Sequence, residues 1–215
     1  MGFRPGLCLK RLLDFVASTV ALVLLAVPFA LIGLAIRLDS PGPLFFRQER
    51  VGKGGRPFRV WKFPTMVKDA ERIGLGLNVS ATDERITRVG RFLREWALDE
   101  LPQLINVWLG EMSLVGPRPT VPAQVAVYND FERRRLEVKP GITGWAQIHG
   151  RNTISWDERI RYDVWYVDHW SFWLDLYILL RTIPVVLSRQ GLYGPGGLND
   201  DLVSRRSGVG VPPGA

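Results

Sequence analysis

Cysteine and histidine are nearly missing from this chain: its 215 residues include one cysteine, Cys8, and two histidines, His149 and His169. A single thiol excludes a disulfide framework, and so few soft or borderline ligands make a Cys/His zinc centre implausible. Any metal the protein uses should be a hard, oxygen-ligated ion. Acidic residues are also in the minority, 21 against 28 lysines and arginines, which gives a net charge of +7 and a pI near 10.0. Such a balance attracts phosphates, nucleic acid or an acidic membrane surface, and charge alone does not choose among them. The length suits one ordinary domain, and a hydrophobic content of 47% is enough to build its core.

Charge is absent altogether from Phe15 to Ile36, FVASTVALVLLAVPFALIGLAI, a run of 22 residues. That is long enough for a hydrocarbon core of roughly 30 Å and longer than the roughly 7–15 apolar residues of a signal peptide. Basic residues lie on both flanks: Arg4, Lys10 and Arg11 before it, and Arg37, Arg47, Arg50 and Lys53 among those after it. A straight span cannot keep both flanks on the cytoplasmic side, whereas a helix that enters, bends and returns can. Pro28 removes a backbone hydrogen bond near the middle and favours such a bend. A kinked but ordinary span is the alternative.

After the break at SPGP, residues 40–43, the runs LFFRQERV and PFRVWKF around Gly52, Gly54 and Gly55 predict a β-hairpin. The glycine turn lacks the spacing of a P-loop. Two helical patterns follow, one through Ile86, Val89, Phe92, Leu93 and Trp96, the other through Leu101, Leu104, Ile105, Trp108 and Leu109 up to Gly110. They meet at Asp99-Glu100-Leu101-Pro102, so the acidic pair stands at or just ahead of a helix start. VGPRP at 115–119 reads as an extended or turning loop, and the stretch from Trp156 as helix. Its part VWYVDHWSFWLDLYILLRTIPVVL is too often interrupted by charge for a second span and suits a membrane interface or packing against the first helix.

Asp99 and Glu100 have Arg88, Arg91 and Arg94 on the preceding helix and Arg118 in the proline loop. One carboxylate could attack phosphorus while the other holds magnesium, with arginines orienting phosphates. Acids beside a helix-start proline are also common capping signals, so the pair does not decide the matter on its own.

Seen together, KRLLDF, DSPGPLFFRQERVG, WKFPTM, LDELPQLINVWLGEMSLVGPRP, KPGITGWAQI, GRNTISWDERI and YDVWYVDHWSFWLDLYILL resemble, in this order and from about Lys10 to Tyr193, the monotopic phosphoglycosyl transferases, or bacterial sugar transferases. The short chain looks like their minimal catalytic form. The resemblance implies a mainly helical α+β, monotopic membrane protein with an N-terminal re-entrant kinked helix, a short β-hairpin and interfacial amphipathic helices around the active site. Residues 1–39 would insert in the membrane, 40–188 would form the catalytic region as one domain with that helix, and 189–215, rich in Gly and Pro, would be a disordered tail.

By the same resemblance Asp99 is the nucleophile that takes a sugar phosphate from a UDP-sugar, releasing UMP, before undecaprenyl phosphate, a polyprenyl phosphate, carries it away. Asp99 and Glu100 are the catalytic and metal residues, with Mg2+ as cofactor. Arg94 and Arg118 match basic positions near the pair, and Arg151 and Asn152 lie in the matching GRN block. Pro64 stands where the family commonly has a basic residue in a KFRTM-like block, so a phosphate contact there is either absent or supplied by Lys62. Val27 stands where the family often has serine ahead of the proline. The implied setting is the cytoplasmic face of a bacterial inner membrane, with membrane lipid as a partner and no nucleic acid; the exposed aromatic helix could either pair with a second copy of the chain in a homodimer or lie in lipid. An inactive family member and a membrane-tethered binding protein are the competing readings.

Overall fold

The structure is a computed structural model that describes residues 5–73, 78–189, 191–199 and 202–206. The uncharged run belongs to two helices, α1 (Pro5–Leu24) and α2 (Ala26–Asp39), which meet at an angle of 59°. Among the described residues no single helix is long and apolar enough to cross a membrane; by length and composition the bent pair is. The break falls at Leu25, about one turn before Pro28. Proline lacks the N–H that would bond the carbonyl four residues back, and its ring crowds that carbonyl, which belongs to Leu24.

The predicted hairpin is present: β1 (Phe46–Val51) pairs antiparallel with β2 (Pro57–Lys62), with Phe46 opposite Lys62 and Val51 opposite Pro57. Its turn uses positive φ at Gly54 and Gly55, 66° and 77°, where a side chain would be strained. A two-residue strand β3 (Val79–Ser80) precedes α3 (Arg88–Glu95), and α4 (Gln103–Leu109) ends on left-handed Gly110. The proline loop leaves β4 (Ser113–Val115), which is followed by the short helices α5 (Pro122–Ala126) and α6 (Asp130–Arg133). Strand β5 (Gly141–Thr143) pairs parallel with β4 and leads into α7 (Trp145–Ile148). The aromatic stretch is divided at Trp170 and Ser171 into α8 (Trp156–His169) and α9 (Phe172–Leu187), each capped by a serine side chain, Ser155 and Ser171.

Charged side chains fasten α1 to the rest of the chain. Lys10 donates to the Val115 carbonyl at 2.9 Å and pairs with Asp175, which is 2% exposed, at 2.5 Å. Arg11 caps α4 by donating to the Val107 and Trp108 carbonyls at 2.6 and 2.8 Å, and Asp14 accepts from the Ser113 hydroxyl and the Leu114 N–H at 3.1 and 2.9 Å. Residues taken in the sequence as a basic flank thus serve, in the case of Lys10 and Arg11, as docking groups. Helix α2 is held differently, by a cluster in which Ile36, Phe63 and Leu93 are buried and Phe29, Phe45 and Leu98 pack around them.

The end of the chain departs from expectation. Strand β6 (Leu198–Asn199) pairs with β3, and on α10 (Leu202–Arg206) Leu202 is buried with Tyr128, Ile160 and Val164. Arg206 adds an ion pair to buried Glu132. Composition rich in glycine and proline predicted disorder, but one buried leucine and one paired arginine supply distant contacts that composition does not register. Residues 207–215 of the expected tail lie outside the described residues.

Two apolar faces remain uncovered. Val16, Val20, Val23, Leu24, Val27, Leu31, Leu34 and Leu38 are exposed on α1 and α2, and Trp173, Leu176, Tyr177, Leu180, Ile183 and Leu187 form a helical stripe on α9.

Candidate active site

Between α3 and α4 the chain turns sharply. Ala97 adopts a left-handed conformation, φ 54°, and Leu98–Glu100 form a single tight turn, one step earlier than a simple helix start. The turn is fixed to the end of β2 because the Phe63 N–H donates to the Asp99 carbonyl at 3.0 Å. Lys62 therefore lies beside the acidic pair, and its ammonium donates to Glu100 Oε1 at 2.9 Å. Arg118, from the proline loop, grips the same carboxylate with both terminal nitrogens, Nη1 reaching Oε2 at 2.9 Å.

The two carboxylates are thereby made unequal. Burial disfavours the Glu100 anion, yet Arg118 and Lys62 outweigh it and hold this carboxyl well below the usual carboxylate range. No hydrogen bond reaches the neighbouring Asp99 carboxylate among the described residues. Burial, reinforced by the Glu100 charge, pushes it up to about 6 against the opposing charges of Lys62, Arg94 and Arg118. Burial lowers Lys62, whereas Glu100 raises Arg118. One acid is locked as an anion, and its neighbour is half-buried, titratable and unoccupied by any donor.

Arg94 comes from α3 and donates to the Thr65 hydroxyl at 3.4 Å. It can approach because α3 presents Gly90 to the Thr65 segment: a Cβ at Gly90 would lie 2.1 Å from the Thr65 carbonyl oxygen. Arg151, at a left-handed φ of 54°, lies within the field of Asp99, Glu100 and Arg118, and burial lowers its pKa. Asn152 is turned to another task, donating to the Leu192 carbonyl at 2.7 Å and tying down the segment after α9. Lys62, Arg94, Arg118 and Arg151 thus surround the pair, while the Asn152 amide serves a loop.

A residue that sequence reasoning missed stands behind Arg118. Arg135 is 4% exposed and donates to the Arg118 carbonyl at 3.1 Å, to the Tyr128 hydroxyl at 2.6 Å and to Asp163. In the sequence it belongs to the run FERRRLE, and nothing distinguishes it there from its two neighbours. Only the packing of α8, which brings up Asp163, shows which arginine is buried.

Among the described residues no group of three or more His, Cys, Asp or Glu could form a metal cage. The pair itself suits magnesium, which commonly takes one or two carboxylates and completes its shell with water and substrate phosphate. Its donors are oxygens, and Asp99 is free of hydrogen-bond donors.

A family model described as bacterial sugar transferase matches residues 6–189, which takes in the acidic pair and every cation around it. The chain belongs to the bacterial sugar transferases. It is similar to "Uncharacterized sugar transferase EpsL" of Bacillus subtilis, 46% identical over 86% of this chain and 90% of that protein. It is also similar to a UDP-glucose:undecaprenyl-phosphate glucose-1-phosphate transferase of Caulobacter vibrioides, 43% identical over 86% of this chain and 72% of that one. Undecaprenyl-phosphate galactose phosphotransferase of Salmonella typhimurium is 39% identical over 88% of the chain, which spans only 43% of that relative's length. Relatives named for glucose and for galactose match nearly equally well, so identity does not select a sugar in this bacterial sugar transferase.

Proposed function

We propose that the protein transfers a sugar 1-phosphate from a UDP-sugar to undecaprenyl phosphate, giving undecaprenyl-diphosphate-sugar and UMP. The observation that carries the mechanism is the inequality of the acidic pair, in a family whose relatives are named for this reaction. Asp99 attacks the β-phosphorus of the donor, and the bond from that phosphorus to the oxygen bridging it to the α-phosphate breaks. UMP leaves with the electron pair, and the sugar phosphate remains as an acyl phosphate on Asp99. A phosphate oxygen of the acceptor then attacks the same phosphorus, and the bond to the Asp99 oxygen breaks to restore the carboxylate.

A free carboxylate with a pKa about 6 is ionised at neutral pH and still nucleophilic. Lys62 and Arg118 hold Glu100 beside it, while Arg94, Arg118 and Arg151 supply positive charge for the donor's phosphates. Magnesium, held by Asp99 or Glu100 together with substrate phosphate, would supply further charge neutralisation at those oxygens.

The uncovered apolar faces of α1, α2 and α9 support a monotopic arrangement at the cytoplasmic face of the bacterial inner membrane, with α1–α2 entering and leaving on the same side. A site at that surface meets a water-soluble donor and a lipid acceptor in turn. The test is UMP release from a panel of UDP-sugars by purified protein with magnesium and undecaprenyl phosphate. Wild type should release UMP with one or two donors, and Asp99→Asn should release none. Equal release by Asp99→Asn would exclude the covalent mechanism.

A further inference from the structure

The chain that follows α9 is tied to three segments around the acidic pair. Arg189 sets its guanidinium 3.8 Å from the centre of the Trp96 ring, and Trp96 directly precedes the left-handed Ala97 that opens the acidic turn. The Gly191 and Leu192 carbonyls accept from the backbone N–H and the side-chain amide of Asn152, at 3.2 and 2.7 Å. Gly197 accepts from the Ala81 N–H at 2.9 Å, next to the pairing of β6 with β3. Asn199 closes the segment on itself, donating to the Leu192 carbonyl and accepting from the Gly194 N–H, both at 3.0 Å. Residues 191–199 lie beyond the stretch matched to the family.

Arg151 sits where this segment presses. Gly150–Thr153 is a turn closed by the Thr153 N–H donating to the Gly150 carbonyl at 2.9 Å, and Arg151, its second residue, has a φ of 54°. That region suits glycine, asparagine or aspartate and is unfavourable for a long side chain. Such a conformation persists where the surroundings over-determine it, most often at functional sites. Here the surroundings are Gly191: a Cβ on it would fall 2.6 Å from the Gly150 carbonyl oxygen and 3.0 Å from Arg151 Cβ. The missing side chain is what lets the two backbones meet.

We propose that residues 191–199 are a strap that fixes Arg151 for the donor's diphosphate, with Gly191 and Asn152 as positioning residues, a proposal that rests on the UDP-sugar donor proposed above. Arg151 lies in the field of Asp99, Glu100 and Arg118, the groups around which the phosphates react. An arginine on an untethered loop loses conformational freedom at each binding event, whereas a strapped turn has already lost it on folding. A segment that serves the fold alone would have no link to Arg151.

Double-variant cycles test that link without turnover, with UDP as the probe because it carries the two phosphates. Its affinity for the purified full chain is measured calorimetrically in the presence of magnesium. Asn152→Ala removes one amide and should weaken UDP binding about tenfold, and Arg151→Ala should weaken it at least as much. Arg151→Ala combined with Asn152→Ala should bind within about twofold of Arg151→Ala, because both act on one group. Gly191→Ala, which drives a methyl group into the turn, should behave like Asn152→Ala. In turnover Asn152→Ala should raise the KM for the donor and leave that for undecaprenyl phosphate unchanged.

Wild-type affinity in Asn152→Ala and Gly191→Ala, losses that multiply in the double variants, equal rises in both KM values, or no UDP binding by wild type would each overturn the strap. Coupled losses of UDP affinity in a protein that releases no UMP from any donor would instead uphold the strap and refute the proposed reaction.

Discussion

Replacing Arg135 with methionine separates what holds the site from what performs the chemistry. Arg135 and Asp163 are 4% and 2% exposed, and among the described residues Asp163 Oδ1 has no hydrogen-bond partner, so the ion pair is the chief compensation of that carboxylate. Removing one member of a buried pair costs about 3–5 kcal/mol, because a charge is left uncompensated in a poor solvent. For a chain of this size, at about 2–4 °C per kcal/mol, the melting temperature in detergent should fall by about 6–20 °C. Replacing both members with apolar groups, Arg135→Met with Asp163→Leu, removes the stranded charge and should recover most of that loss.

Activity should not follow stability. Both variants lack the donor that fixes the Arg118 carbonyl, so the double variant should be stable yet impaired in UMP release. The pH dependence has a definite sign. Burial raises the Asp163 pKa above its unfolded value even with Arg135 present, so the folded state holds the proton to higher pH than the unfolded chain does. Its ionisation therefore costs stability as pH rises through that window, and the penalty of Arg135→Met should be smaller at pH 5 than at pH 8. A single variant that melts within about 3 °C of wild type, equivalent to roughly 1 kcal/mol, or a double variant with full activity, would refute the reasoning.

The acceptor-independent burst of UMP should report the Asp99 titration directly. Its rate should rise with pH through about 6 and fall about tenfold per unit below that; a rate flat from pH 5 to 8 would show that Asp99 is not the titrating nucleophile. Gly90→Ala should slow UMP release by displacing Thr65, the partner of Arg94, and should cost about 1–3 kcal/mol through overpacking. Denaturation midpoints and donor KM test that change together, and wild-type values for both would mean the Thr65 segment yields freely.

Local rules made much of the molecule legible. The hairpin follows from β-prone runs around glycines, α4 from apolar spacing that stops at Gly110, and the acidic turn from its place between two helical patterns and ahead of Pro102. Pro28 announced a bend, and the structure moved it to Leu25 because proline disturbs the carbonyl four residues before it. These features depend on a residue and its near neighbours, and that information is linear. The tertiary structure decided what depends on distant partners: that Lys10, Arg11 and Asp14 dock α1, that Asn152 holds a loop, that Leu202 is buried, and that Arg135 alone among three adjacent arginines supports Arg118. It also divided the roles of Asp99 and Glu100. Adjacent in sequence and alike in charge, they differ because β2 and the proline loop bring Lys62 and Arg118 to one carboxylate and leave the other unbonded.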